Sequence, residues 1–158
     1  MRGMTNGSAK EELDVLVVGA GVAGLYLVHG LHRMGFRVTC LDEASGVGGT
    51  WNWNRYPGAR CDVESMFYSY EFDADLQQEW QWTERYAAQP EILRYLNHVA
   101  DRFDLRRHIL FDTRVRSAHF DDQCGAWRIE TEAGRTFTAR HCVMATGCLS
   151  ATNVPAIN

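Results

Sequence analysis

Gly19-Ala20-Gly21-Val22-Ala23-Gly24 is a G-x-G-x-x-G run placed directly after an apolar stretch, Leu13-Asp14-Val15-Leu16-Val17-Val18, and at the start of a segment with helical periodicity. In that context the pattern reads as a dinucleotide-binding turn. Gly19 permits the tight turn, Gly21 lets the backbone come close to a pyrophosphate, and Gly24 allows the helix to pack on the strand. The N–H groups and the positive dipole of the helix start then face anionic phosphates. Asp42 stands 18 residues after Gly24, at the end of the next apolar run. That is the place from which a carboxylate accepts hydrogen bonds from ribose hydroxyls. Glu43 is the alternative acid, directed to the other side. The turn by itself serves FAD and NAD alike.

The elements that must hold these residues follow from the pattern around them. The β-branched run 13–18 suits a parallel strand buried on both faces. The helix carries Leu27, Val28, Leu31 and Met34 and is closed by Gly35. Arg37 to Leu41 reads as the second strand, which completes one βαβ unit. Residues 44–62 are rich in Gly, Trp and Asn and read as a long functional loop. Gln89-Pro90-Glu91 starts a helix with Pro at its first position and an apolar face of Ile92, Leu93, Leu96, Val99, Ala100 and Phe103. Arg114–Phe120, Trp127–Thr131 and Thr136–Ala139 read as an antiparallel meander with turns at 121–125 and 132–134. A separate buried strand follows over Cys142-Val143-Met144-Ala145-Thr146-Gly147. The fold class is therefore α/β, a Rossmann-like domain with an antiparallel β-meander insertion. This combination resembles the FAD domain of two-dinucleotide flavoproteins, and that resemblance favours FAD over NAD at the turn. The expected organisation is a polar lead-in over 1–12, the FAD-binding domain over 13–150 and a loop tail over 151–158.

Composition bounds the rest. The chain has 158 residues, 46% hydrophobic and 23% charged, which is one ordinary globular domain. A net charge of -4 argues against a nucleic-acid partner, which leaves a basic stripe. No apolar run approaches the roughly 18 residues of a membrane span, and the lead-in has no apolar signal-peptide core. Five cysteines without Cys-x-x-Cys spacing read as reduced thiols of a cytoplasmic protein, with neither a disulfide framework nor a zinc site. His29 and His32 are three apart on the first helix, but no cysteine or carboxylate pattern accompanies them, so no metal is expected.

The most specific segment is Gly49-Thr50-Trp51-Asn52-Trp53-Asn54-Arg55-Tyr56-Pro57-Gly58-Ala59-Arg60-Cys61-Asp62. It resembles the pattern G-x-W-x-x-x-x-(F/Y)-P-(G/M)-x-x-x-D of type I Baeyer–Villiger flavin monooxygenases, and all six fixed positions match. Val63-Glu64-Ser65, Tyr68-Ser69-Tyr70, Gln89-Pro90-Glu91-Ile92-Leu93 and Asp101 to Arg107 also resemble this family, especially its phenylacetone and cyclohexanone monooxygenase branch. The likeness runs from Asp14 to Ser150. It implies that Gly19 to Gly24 hold the FAD pyrophosphate and Asp42 the ribose. Gly49 and Thr50 to Trp53 would line the flavin side of the cofactor, and Tyr68 would touch it. Asp62 would act near the flavin and nicotinamide rings, with Arg60 and Cys61 in the same zone. Val115 would offer its backbone to the adenine, and Gly147, last of the tripeptide Ala145-Thr146-Gly147 that ends the final strand, would contact the cofactor. Trp51 and Trp53 as plain core aromatics, Asp62 as a cap and Arg60 as a surface charge are the bland alternatives. Trp80, Trp82 and Trp127 lie outside the pattern and read as packing.

The family's reaction uses NADPH to reduce FAD and molecular oxygen to insert one oxygen atom beside a ketone carbonyl, giving an ester or lactone. The protein positions and shields the flavin, and Asp62 is the expected catalytic carboxylate. The chain as given holds no second G-x-G-x-x-G: Gly46-Val47-Gly48 begins one, but Trp51 stands where the third glycine belongs. The family's F-x-G-x-x-x-H signature is missing too, since none of the seven phenylalanines has a glycine two positions later. Asn52 replaces an aromatic residue and Cys148 a proline found in the family. The expectation is thus the FAD-binding part of such an enzyme, inactive alone, with its NADPH domain absent and apolar surface left open to association. One subunit of a split enzyme, completed by an NADPH-domain chain, is a second reading. A related flavin monooxygenase acting on nitrogen or sulfur is a third, against which the Trp51-to-Asp62 pattern weighs. A non-catalytic FAD-binding fragment is a fourth.

Overall fold

A computed structural model describes residues 12–149 together with Val154 and Ala156. The lead-in before Glu12 and most of the tail lie outside the described residues. Strand β1 (Glu12–Val18) leads through the glycine turn into α1 (Val22–Arg33), and β2 (Val38–Leu41) follows. The expected loop over 44–62 contains one helical turn, α2 (Thr50–Trp53). A 3-10 turn at Ser65–Tyr68 and the short helix α3 (Ala74–Glu79) precede α4 (Gln89–Arg102). The chain then forms β3 (Ile109–Leu110), β4 (Val115–Asp121), β5 (Ala126–Thr131) and β6 (Thr136–Met144).

All six strands share one sheet in the order β3-β2-β1-β6-β5-β4. β1 pairs parallel with β2 on one side and with β6 on the other, while β4, β5 and β6 are antiparallel. This corrects the expectation of two strands over 136–147. The polar pair Arg140-His141 interrupts the apolar pattern, but a strand is held by its backbone. The first half of β6 pairs with β5 from Glu130↔Thr136 to Trp127↔Ala139. From Thr138 onward it pairs with β1, from Glu12↔Thr138 to Val18↔Met144. One strand therefore ends the meander and flanks the βαβ unit. Its second half is also not buried: Cys142 and Val143 are half-buried and Met144 is exposed.

Side chains alternate across the sheet with period two. Val15, Val17, Val38 and Cys40 face the layer of α1 and α4, where Leu25, Val28, Ile92, Tyr95, Leu96 and Val99 complete the larger core. Leu16 and Leu41 face the other side and pack with Ile129, Phe137 and Ala139 of the meander. Trp80 and Trp82 pack against the first core and Trp127 against the second, in keeping with their reading as packing residues.

His29 and His32 go different ways. His29 is buried between Phe72 and Phe103, with ring centroids 4.2 and 4.7 Å away, and its Nε2 has no partner among the described residues. His32 is exposed, with its ring tilted against that of His108 at 4.2 Å between centroids. Burial, with Arg33 nearby, pushes the His29 imidazolium below the usual histidine range. A histidine held neutral by the fold contributes stability above its unfolded value, and that stability is lost as pH falls, because the unfolded chain takes up the proton. Urea unfolding at pH 8 and pH 5.5 should therefore show a smaller acid loss for His29→Phe than for the parent. An equal loss in both would remove His29 from the account.

Candidate dinucleotide-binding site

Four loops meet at the carboxyl ends of β1, β2 and β6, the edge at which parallel α/β sheets take ligands. Backbone hydrogen bonds tie them together. Gly19 N–H donates to Leu41 O at 2.8 Å, and Ala145 N–H to Val18 O at 2.8 Å. Gly48 N–H reaches Ala20 O at 3.0 Å, which lays the 48–49 glycines on the turn. Asp112 N–H donates to Ala44 O at 3.0 Å and Thr113 N–H to Asp42 O at 2.8 Å, so the strand carrying Val115 starts beside Asp42.

The three fingerprint glycines differ in what the fold asks of them. A Cβ on Gly19, whose φ is +105°, would stand 2.5 Å from Ala145 O; one on Gly24 would stand 1.8 Å from Gly19 O. Both positions are closed by the protein's own backbone. A Cβ on Gly21 would meet only Gly49, its Cα at 3.4 Å and its N at 3.8 Å, both ordinary contacts, and Gly21 has φ -80°. Packing therefore leaves room for a side chain at Gly21, and the fold itself does not require this glycine. Gly21 is also the N-cap of α1 and offers no side-chain cap. The helix start keeps its donors and positive end for an external acceptor.

Asp42 is buried, and its carboxylate is a clasp. One oxygen accepts from Ala20 N–H and the other from Ala44 N–H at 2.7 Å. It draws the glycine turn toward the loop after β2. A carboxylate has lone pairs left for further donors. Glu43 points outward to Arg114 at 3.4 Å, as expected.

On the far side of the loop, Trp51 and Trp53 divide. Trp51 is 9% exposed and packs edge-on to Tyr68 at 5.6 Å, with its carbonyl accepting from Gln89 Nε2. Trp53 is 58% exposed. Thr50 and Asn52 are half-buried, and a Cβ on Gly49 would meet Gly21 Cα at 3.0 Å. Burial, with Cys61 and Asp62 nearby, raises the Tyr68 hydroxyl above the usual range, so it stays protonated at neutral pH. Asp62 is exposed and makes no ion pair among the described residues. Arg60 is drawn away from it: its guanidinium donates to Glu84 at 2.6 Å and to Tyr86 O, and its backbone bridges Ala88. Cys61 is buried in the same zipper, its N–H on Ala87 O at 3.0 Å. In Ala145-Thr146-Gly147 the first two residues touch Gly19, whereas Gly147 stands open with φ +72°. Tyr70, whose segment carried the likeness without a role for this side chain, also joins the site: its hydroxyl donates to Val22 O at 2.6 Å.

A family model of NAD(P)-binding Rossmann-like domains matches residues 17–77. A Baeyer-Villiger monooxygenase of Pseudooceanicola batsensis is 52% identical over 145 residues, 91% of this chain and 27% of that protein. A phenazine N-monooxygenase of Lysobacter antibioticus is 46% identical over 149 residues, 94% of this chain and 28% of that protein. Among solved structures, an oxidized steroid monooxygenase bound to NADP superposes with a TM-score of 0.89 at 59% identity, over 92% of this chain and 28% of that one. The chain thus spans little more than a quarter of the length of the relatives it matches.

Proposed function

This chain is a homologue of the Baeyer–Villiger monooxygenases with the fold of their FAD-binding domain, and on that premise we propose that it binds FAD at the carboxyl edge of its sheet. The pyrophosphate lies against the N–H groups of Val22, Ala23 and Gly24. Asp42 accepts a ribose hydroxyl through its remaining lone pairs while keeping its clasp on the turn. The backbone at Val115 meets the adenine. Gly49 lies against the turn at Gly21, and Thr50, Trp51, Asn52 and Trp53 border the flavin end with Tyr68. Asp62 is the carboxylate left to engage a cationic partner or a nicotinamide beside the flavin, as a charge-positioning group. Tyr68 holds its proton on Oη there, and Arg60 and Cys61 brace the loop that carries Asp62. When bound, FAD supplies the redox chemistry, accepting hydride from NADPH and activating oxygen. The whole protein is then an NADPH- and oxygen-dependent monooxygenase that converts ketones to esters or lactones. The likeness to a phenazine N-monooxygenase supports nitrogen oxygenation as a second reading.

The observation that carries this reading is the contrast among the glycines: the fold requires Gly19 and Gly24, and it leaves Gly21 as space beside an uncapped helix start. The test is to add FAD to the purified chain and follow its absorbance and fluorescence. Saturable one-to-one binding with a shifted spectrum is the expected result. A folded, soluble chain that leaves the FAD spectrum unchanged would overturn the assignment.

A further inference from the structure

Tyr70 lies outside the glycine turn and outside the tryptophan loop, yet it reaches the first turn of α1. It is buried, its hydroxyl donates to Val22 O at 2.6 Å, and its own N–H donates to Tyr95 Oη at 2.7 Å. Tyr95 is itself buried on α4. A chain of two hydrogen bonds therefore runs from α4 through Tyr70 to the helix start.

The carbonyl that Tyr70 grips belongs to the same peptide group as the Ala23 N–H. Resonance within an amide couples its two ends: a donor on the oxygen draws electron density from the nitrogen and makes the N–H a better donor. Hydrogen bonds in series strengthen one another in this way. The contact also fixes the plane of that peptide, and with it the direction of the N–H. Ala23 is the second residue of α1, and its N–H is one of those left without an intrahelical acceptor at a helix start. We infer that Tyr70 is a positioning residue that orients and polarises the Ala23 N–H as a donor to the pyrophosphate of a bound dinucleotide. This inference rests on the FAD site proposed above. The hydroxyl suits the role because burial raises it well above the usual tyrosine range, so it is a donor throughout the working pH range.

Tyr70→Phe removes the hydroxyl alone and leaves the packing with Tyr26, Phe72 and Tyr95. Val22 O keeps the helix's own donor from Tyr26 N–H, so the variant strands no buried carbonyl. Titrating FAD and ADP into parent and variant should show both weakened in the same proportion, roughly three- to tenfold, since both carry the pyrophosphate. The ligand-free readout is the ¹⁵N resonance of Ala23, which should move upfield in the variant by more than that of any other residue of α1. A general loosening of the domain would shift many amides and lower the thermal midpoint without singling out Ala23. If the parent binds FAD and the variant matches it in both affinity and the Ala23 resonance, the inference is overturned and the FAD site stands. If the parent binds neither FAD nor ADP, the site assignment falls and takes the inference with it.

Discussion

Replacing Gly24 by alanine should cost the domain about 3 kcal/mol or more and lower its thermal midpoint by roughly 10 °C. The added Cβ would stand 1.8 Å from Gly19 O and 2.9 Å from its carbon, and neither atom can move away. Gly19 is fixed to β2 through its N–H on Leu41 O and is pressed from behind by Ala145. The helix would have to lift off the strand, which opens the contacts of the fully buried Leu25 and Val28 with the core. Each such side chain contributes about 1.5–3 kcal/mol when buried, so a shift of an ångström or so is felt at once. Gly30→Ala is the internal control. It makes the same substitution in the same helix, where nothing lies within 4 Å of the new Cβ. There it should stabilise by up to about 1 kcal/mol, because alanine is the better helix former. Thermal unfolding followed by circular dichroism separates the two. A Gly24→Ala chain melting within about 2 °C of the parent would show that α1 does not sit on Gly19 as described.

The contrast between legible and hidden features follows sequence distance. The strand, the glycine turn, α1 and Asp42 were readable because each is a local pattern with its own periodicity or spacing. The direction of α4 was equally plain from its apolar face, although Tyr95 at its centre gave no sign of its hydroxyl's partner. β6 was misread because Arg140-His141 breaks the apolar pattern, while the strand is continuous in its bonds to β1 and β5. Sequence named Asp42 for a ligand and missed that its oxygens already hold Ala44, two residues on, and Ala20, a contact that forms only once the glycine turn lies beside the loop after β2. It grouped Arg60 with Asp62, whereas the Glu84–Tyr86 segment, some two dozen residues on, claims the guanidinium. Trp51 and Trp53 matched or bordered one motif, but two residues apart on a single helical turn they face different surroundings. The bond from Tyr70 to Val22 spans 48 residues, and no short pattern carries it.

Gly21→Asp should abolish measurable FAD binding, a loss of a hundredfold or more, which corresponds to about 2.7 kcal/mol, while leaving the fold as stable as the parent or slightly more so. The two effects separate because the fold and the cofactor make opposite demands on this residue. As the N-cap of α1, position 21 has extended backbone angles that aspartate adopts without strain, and its Cβ meets only Gly49 at 3.4 Å. Aspartate is among the best N-caps: its carboxylate accepts from the second or third N–H of the helix and is favoured by the positive end of the dipole. Those are the N–H groups proposed to receive the pyrophosphate. The new side chain would occupy the donors, fill the space that glycine leaves, and set a negative charge against two negative phosphates. Thermal unfolding and FAD titration on the same preparation read both quantities. A variant that is stable and binds FAD normally would place the phosphates elsewhere. A variant that loses stability along with binding would mean that Gly21, like Gly24, is required by packing, and the contrast on which the site assignment rests would be gone.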